Sequence, residues 1–336
     1  MSASVSPPPS KRQHGQYFTT TNPFGLAPFQ EWVGLIPNFK EQTLLEPFAG
    51  SGNIPKMMRE LGYQNWWKCY DISPVPTSSC LVAARDTLAS FPAGFEVAIT
   101  NPPYLAKNSA TRRGMDFPDT RYDDLYKVAL DVMLRNTLYV AAIVPESFTT
   151  QGLFHSRLYS VVSLTRPMFL DTETPVCLAL FVPEGVKESP LNFRMYAQNK
   201  LIGDFLSLKL HSAAPQGVGM PWKFNDSTGL IGLRAVDNQV SASIRFVPGN
   251  EIDENAVSGS SRSVTRVGCA SLEPKDAERI VKAANQLLAE RRERTQDTCL
   301  TAFKGLRKDG MFRRRLDYAQ ARDILNLASI AAGLNG

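Results

Sequence analysis

Between residues 40 and 180 the chain alternates short apolar runs with stretches whose apolar residues recur every three or four positions. "QTLLEPF", "NWWKCYDIS", "EVAITNPPY", "YVAAIVPESF" and "VCLALFVPE" have the length and composition of strands, bounded by turn-forming residues. "NIPKMMRELGY" has the spacing of a helix that stops at Gly62. "RYDDLYKVALDVMLRNT" places Leu125, Val128, Ala129, Val132 and Met133 at helical intervals. "SRLYSVVSLTRPMFLD" is expected to hold a helix and then an edge element, followed by the strand "VCLALFVPE". Such alternation predicts an α/β fold built on a mostly parallel, doubly wound sheet.

The pattern changes near residue 200. Residues 205–268 are rich in Gly, Ser, Asn and Pro, with brief strand-like runs such as "SASIRFVP" and "SVTRVG". "LEPKDAERIVKAANQLLAERRERT" then predicts a long helix, with Ser271 as its expected cap, Pro274 in its first turn and arginines in its last. "DYAQARDILNLASIAAGL" predicts a final helix ending at Gly333. The expected organisation is a disordered arm over 1–14, a main domain over 15–200 and a smaller mixed α/β domain over 201–336. The arm, within "MSASVSPPPSKRQHG", is polar and Pro/Ser-rich and lacks the apolar core of a signal peptide.

Composition removes several classes. Of 336 residues 43% are hydrophobic and 21% charged, and no apolar run approaches the ~20 residues of a membrane span. The five cysteines and three histidines are dispersed, with no C-x-x-C pair, which argues against a zinc site and against a disulfide framework. A cytoplasmic protein, monomeric and without a metal, is expected. The net charge of +5 matches the excess of the last fifth of the chain, where residues 274–336 carry 13 Lys/Arg against 8 Asp/Glu. Such a cluster is either a solvated helix face or a phosphate-binding surface.

"LLEPFAGSGNIP" reads as strand, Gly-rich turn and helix, the arrangement that lays a ligand against backbone amides at a sheet edge. No Gly-Lys-Ser/Thr follows Gly50 and Gly52, so it is not a nucleoside-triphosphate loop, and Ile54-Pro55 replaces the third glycine of a dinucleotide fingerprint. Glu46 within this stretch would repel a pyrophosphate. It suits a ligand bearing an ammonium group, as the methionine part of S-adenosylmethionine does. Asp71 lies 21 residues past Gly50 at the end of the next strand, where ribose hydroxyls are held in folds of this type, and Ile72 beside it can pack on an adenine ring.

The strand "EVAIT" ends on Asn101-Pro102-Pro103-Tyr104. Two prolines remove two donors and fix two φ angles, so the turn beyond the strand is rigid. Methylation of an exocyclic amine such as adenine N6 needs rigidity of this kind. The nitrogen lone pair is delocalised into the ring, and two acceptors that pull on its N–H bonds restore nucleophilicity and align it with the methyl group. The Asn101 side-chain oxygen and the Pro102 carbonyl can serve as those acceptors, and Tyr104 can offer a face on which a base stacks.

These motifs together resemble the N6-adenine-specific DNA methyltransferases of the γ subclass, over roughly residues 15–185. "GQYFTTTNPF" resembles the family's N-terminal cofactor motif, "EPFAGSGN" its Gly-rich motif, "YDIS" and "AARDTL" the two that come after it, and "ITNPPY" the catalytic motif. The resemblance implies a Rossmann-like S-adenosylmethionine-dependent methyltransferase fold with a C-terminal target-recognition region. It implies cofactor contacts from Tyr17, Thr19, Thr20, Glu46, Pro47, Phe48, Ala49, Gly50, Gly52, Asp71, Ile72, Asp86, Thr87 and Asn101. It implies catalysis by Asn101, Pro102, Pro103 and Tyr104. The family's second base-stacking aromatic has no clear match; Phe148 and Phe169 are the candidates, each with a core role as the competing reading. Asn-Pro-Pro-Tyr also occurs in methyltransferases of RNA and of protein glutamine, which stand as the alternative.

Adenine N6 in duplex DNA is out of reach of a sheet-edge pocket, so the nucleotide must be flipped out, at a cost of a few kcal/mol. Stacking on Tyr104 would return ~1–3 kcal/mol. Phosphate contacts are expected from Lys107, Arg112 and Arg113 in the loop after the catalytic turn, and from Arg313, Arg314 and Arg315. Restriction–modification, phage and regulatory settings are all compatible with this chemistry.

Overall fold

The computed structural model describes residues 22–165, 167–168, 175–210, 219–257 and 262–334. Tyr17, Thr19, Thr20, the arm over 1–14 and Phe169 lie outside them. The described residues form two compact units: those up to Asn199 apart from Pro175, and Pro175 with those from Lys200 onward.

The first unit is built on one sheet. Its strands are β1 (Leu44–Glu46), β2 (Trp67–Asp71), β3 (Val82–Ala84), β4 (Val97–Thr100), β5 (Tyr139–Pro145), β6 (Leu158–Leu164), β7 (Val176–Phe181) and β8 (Arg194–Ala197). They lie in the order β3-β2-β1-β4-β5-β7-β6-β8. Pairing is parallel from β3 through β5, and β7 runs antiparallel to both β5 and β6. This is a Rossmann-like sheet. The order reverses direction between β1 and β4, and such a switch point opens a crevice at the C-terminal ends of the strands. β4, β5 and β7 are almost wholly buried, as expected of strands covered on both faces.

Among its described residues are the α-helices α1 (Ala27–Gly34), α2 (Asn53–Glu60), α3 (Lys107–Arg112) and α4 (Leu125–Asn136). One core brings Phe29 and Trp32 of α1 and Met58 of α2 onto Ile99, Ala141 and Leu178 of the sheet. The Trp32 indole N–H donates to the Phe181 carbonyl at 2.9 Å, which satisfies a polar group the packing would otherwise strand.

The stretch expected to contain a helix, "SRLYSVVSL", is instead strand β6, buried along most of its length. Its apolar run is compatible with either element, and pairing to β7 on one side and β8 on the other decides it. Phe148 is fully buried and packs edge-on to Phe181 at 6.1 Å, so it is a core residue and not a base-stacking one.

The second unit begins with β9 (Lys200–Asp204) and α5 (Phe205–Leu210). It then forms an antiparallel sheet from β10 (Lys223–Phe224), β11 (Ile231–Arg234), β12 (Arg245–Pro248) and β13 (Val264–Gly268), in the order β10-β13-β11-β12. Two helices, α6 (Pro274–Thr295) and α7 (Tyr318–Ala331), flank the hairpin of β14 (Thr301–Leu306) and β15 (Phe312–Arg315) in the chain. Ile280, Ala284 and Leu288 of α6 and Ile324 and Leu325 of α7 share a core with Ile231, Leu233 and Phe246. The residue capping α6 is Glu273, not Ser271, and its side chain makes no capping bond; Pro274 supplies the preset first turn. Asp317 caps α7 through the Gln320 amide. No described helix is long and apolar enough to cross a membrane.

Candidate functional site

The end of β1, the end of β2 and the end of β4 meet at the switch point. β1 pairs with β2 through Glu46↔Cys69 and with β4 through Leu45↔Ala98, which places Glu46, Asp71 and Asn101 at one edge.

Glu46 is the unusual residue there. It is 2% exposed, and its Oε2 is buried with no hydrogen-bond partner. Burial, with Cys80 and Asp71 adding repulsion, pushes its carboxyl well above the usual range. A buried carboxylate oxygen left unpaired is costly, so it is an unmet demand for a donor or a cation. Such a demand suits a ligand ammonium.

The turn beyond Glu46 is held from several sides. Gly50 and Gly52 both have positive φ, 51° and 70°, which a side chain would strain. The Gly50 amide donates to Asp71 Oδ2 at 2.8 Å and the Ser73 amide to Asp71 Oδ1 at 2.9 Å. Asp71 is buried, so the structure gives it the work of tying the turn to the end of β2, where a ribose contact was expected. Thr87, also buried, donates its hydroxyl to the Pro47 carbonyl at 2.9 Å and brings the segment after β3 onto the turn. Asp86 is exposed and accepts from the Leu88 and Ala89 amides at 3.0 and 3.1 Å. Ile72 is exposed at 64%, and Ala49 is buried.

At the end of β4, Pro102 is buried while Asn101, Pro103 and Tyr104 are half-buried. The Tyr104 hydroxyl lies 2.6 Å from Asn101 Oδ1 and 2.7 Å from the Ile143 carbonyl, and can donate to either. The single phenolic proton serves one of these two acceptors at a time. The Tyr104 ring packs against the core and meets Tyr126 edge-on at 6.2 Å. Tyr104 is therefore an anchor of the turn as well as an aromatic surface, a role its sequence position alone does not disclose.

Asp124 was not anticipated either. Its Oδ1 accepts from the Leu105 amide at 3.0 Å and from the Tyr126 amide, the latter as the cap of α4. Burial holds its carboxyl up at about 6, against those two amides. With the Leu125 amide donating to the Leu105 carbonyl at 3.1 Å, this closes the neck of the 106–124 excursion directly behind Tyr104. The signal in the sequence is an Asp immediately before an apolar helical run. Lys107, Arg112 and Arg113 in that excursion are exposed.

The basic residues of the second unit are placed differently. Arg292 and Arg307 converge on Asp237, which is fully buried, and on Asp297. The Arg313 guanidinium donates to the Asp237 carbonyl at 2.7 Å and lies 5.0 Å from the Phe303 ring centre. Arg314 is 3% exposed and thus out of reach of a phosphate, which corrects its reading as a DNA contact. Arg315 is half-buried. No group of three or more metal-ligating side chains occurs among the described residues.

No protein-family model matches the chain, and no curated protein matches it in sequence. Several solved structures resemble it distantly. The type IIG restriction endonuclease BpuSI matches at 14% identity over 55% of this chain and 28% of its own, with a TM-score of 0.40. A type I restriction–modification methyltransferase subunit from Streptococcus thermophilus matches at 16% identity over 56% and 50%, TM-score 0.37. A Listeria monocytogenes protein provisionally classed as a class I S-adenosylmethionine-dependent methyltransferase matches at 14% identity over 53% and 65%, TM-score 0.38. The chain spans less than two thirds of the length of each. Likeness at this level carries no assignment of activity, substrate or partner.

Proposed function

We propose that this chain transfers the methyl group of S-adenosylmethionine to the N6 amine of adenine in DNA. The observation that supports this most is the pairing, at one switch point, of a buried carboxylate oxygen without a partner (Glu46) and the rigid turn Asn101-Pro102-Pro103-Tyr104. S-adenosylmethionine, when bound, supplies an electrophilic methyl on a sulfonium and presents an ammonium group. Glu46 would receive the ammonium, beside a turn whose positive φ angles Gly50 and Gly52 permit and which Asp71 and Thr87 hold in shape.

On the substrate side, a carboxamide oxygen has two lone pairs, so Asn101 Oδ1 can accept from Tyr104 and from one amine N–H together. The Pro102 carbonyl would accept from the other N–H. These two acceptors raise electron density on the nitrogen without a general base and hold it in line for attack. Tyr104 fixes the carboxamide and presents its aromatic surface to the flipped base. Exposed Lys107, Arg112 and Arg113 would neutralise phosphates beside it, and the second unit would read the surrounding sequence.

Incubating the chain with methyl-labelled cofactor and, separately, duplex DNA, RNA and protein tests this reading. Label in DNA, recovered as N6-methyladenine, is expected. Label confined to RNA or to a protein glutamine would overturn it.

A further inference from the structure

The four-stranded sheet of the second unit has two unlike faces. Alternate residues of a strand point to opposite sides. Ile231, Leu233 and Ala235 of β11 and Phe246 of β12 join the core with α6 and α7, and buried Asp237 meets Arg292 of α6 on that side. The residues between them occupy the face without helices.

On that face the topology gathers arginines from four segments of the chain. Arg234 of β11 is directly opposite Arg245 of β12. Arg315 of β15 is bridged to Val236, two residues beyond Arg234, which puts it on the same side. The pairing continues through the Asp237 amide, which donates to the Arg314 carbonyl at 3.0 Å, so Arg313 comes one step beyond Arg315. Arg262 stands two residues before Val264, the partner of Arg234 on β13, where the Ala235 amide still donates to the Ser263 carbonyl at 2.8 Å. Each step of two residues is about 7 Å, so the row runs about 14 Å along the sheet.

These charges are not neutralised within the unit. Among the described residues, its arginine ion pairs belong to Arg266, Arg279, Arg292 and Arg307. Arg234, Arg245, Arg262, Arg313 and Arg315 have none. Two arginines directly opposite in an antiparallel pair repel one another. Arg234 Nε and Arg315 Nε are also buried without a hydrogen-bond partner, a cost that an acceptor would remove. Arg245 and Arg262 are exposed and the other three half-buried. Arg266, farther along the same face, shows the alternative arrangement. It donates to the Ile252 carbonyl at 2.8 Å and the Ser227 carbonyl at 2.6 Å, and meets Glu254 at 3.3 Å.

We infer that the helix-free face of this sheet grips the phosphodiester backbone of duplex DNA through Arg234, Arg245, Arg262, Arg313 and Arg315. A guanidinium presents a planar fork that matches two phosphate oxygens. One small anion would answer one step of the row. About 14 Å instead spans about four phosphates of a strand, at roughly 3.4 Å of helix axis each. Bound phosphates would relieve the repulsion between Arg234 and Arg245 and accept from the two orphaned Nε donors. Such contacts position the duplex and carry no sequence information of their own. That the polyanion is duplex DNA rests on the function proposed above; that the face binds a phosphodiester backbone does not.

The test is fluorescence anisotropy of a labelled mixed-sequence duplex titrated with the full chain over a series of salt concentrations. Arg234→Gln with Arg245→Gln should lower the log–log salt slope by about 2 and weaken binding about tenfold at fixed salt. Arg245→Gln with Arg262→Gln alters exposed side chains alone, should do the same, and keeps the test decisive if the first pair fails to fold. Parent slope and affinity in the exposed pair would overturn the inference. Arginine-dependent binding of a labelled RNA duplex as tight as that of DNA would overturn the assignment to DNA. An arginine-dependent slope without methyl transfer to the bound duplex would uphold the face and sink the function proposed above. Methyl transfer to DNA with the parent slope in both variants would do the reverse.

Discussion

The switch point of the first unit and the arginine cluster of the second are both dense in charge, and the fold treats them in opposite ways. At the switch point a carboxylate is buried and left wanting a partner. In the second unit the arginines meet acids of their own unit: Arg292 contacts Asp237 at 3.0 Å and Asp297 at 2.7 Å, and Arg307 reaches Asp237, Asp297 and Asp309. A closed network of buried ion pairs specifies and rigidifies a domain, whereas an open buried carboxylate specifies a ligand. Counting charges along the chain cannot separate the two outcomes, because both look like clusters.

This contrast can be broken at either end. The largest effect is expected from Asn101→Ala, which should lower methyl transfer by roughly 10²–10³-fold, the scale for losing a positioned charge-stabilising group. Calorimetry should show cofactor affinity within about threefold of the parent, on the premise that Asn101 acts on the amine; equal loss of both would move Asn101 to the cofactor side. Asp237→Ala leaves Arg292 and Arg307 without their buried partner and should cost about 3–5 kcal/mol in urea unfolding. Burial raises the Asp237 carboxyl, but Arg292 and the Ser243 and Ile244 amides outweigh it and hold it below the usual range. Its contribution is therefore present above the ordinary carboxylate pKa and lost as pH falls through the lowered folded value. A parent chain that keeps full stability through that acid window would contradict this account.

Tyr104→Ala should leave less than a tenth of the activity. Tyr104→Phe keeps the ring and drops the hydroxyl, so its kcat separates the carboxamide anchor from the stacking surface. No change in Tyr104→Phe would remove the anchor. Glu46→Gln should weaken S-adenosylmethionine binding about tenfold, a loss of ~1.4 kcal/mol, yet raise the melting temperature of the ligand-free chain at neutral pH. The sign is set by its raised carboxyl: the folded chain holds that proton more tightly than the unfolded chain. Stability therefore falls as pH rises from the ordinary carboxylate pKa toward the raised folded value. A lower melting temperature in Glu46→Gln would refute the picture of an unpaired buried carboxylate. The smallest effect is expected from Arg112→Ala with Arg113→Ala. It should leave the fold intact and reduce the log–log salt slope of DNA binding by up to about 2, one per phosphate contact. Arg314→Ala, by contrast, should reduce stability and leave that slope unchanged.

The doubly wound sheet was legible because strands buried on both faces and helices buried on one leave different periods in the sequence. That logic failed at β6, where "LYSVVSL" has no period that excludes a helix, and pairing on both edges decided. The turn residues were legible as types: Gly50 and Gly52 for positive φ, the prolines for rigidity, Glu46 for charge. Their partners were not. Nothing local says that Asp71 binds the Gly50 amide, that Tyr104 reaches Asn101 and the Ile143 carbonyl, or that Asp124 pins Leu105.

By itself, then, the sequence determined the kinds of element, the strain tolerated at each turn, and the chemical repertoire at the ends of β1 and β4. These are local properties, set by side-chain period and backbone freedom. Only the tertiary structure decided which of those groups are satisfied. It closed Asp237 with arginines 55 and 70 residues away and left Glu46 Oε2 open. The reason is that desolvation and hydrogen bonding depend on what fills the space around a group, and that space is made by segments remote in the chain.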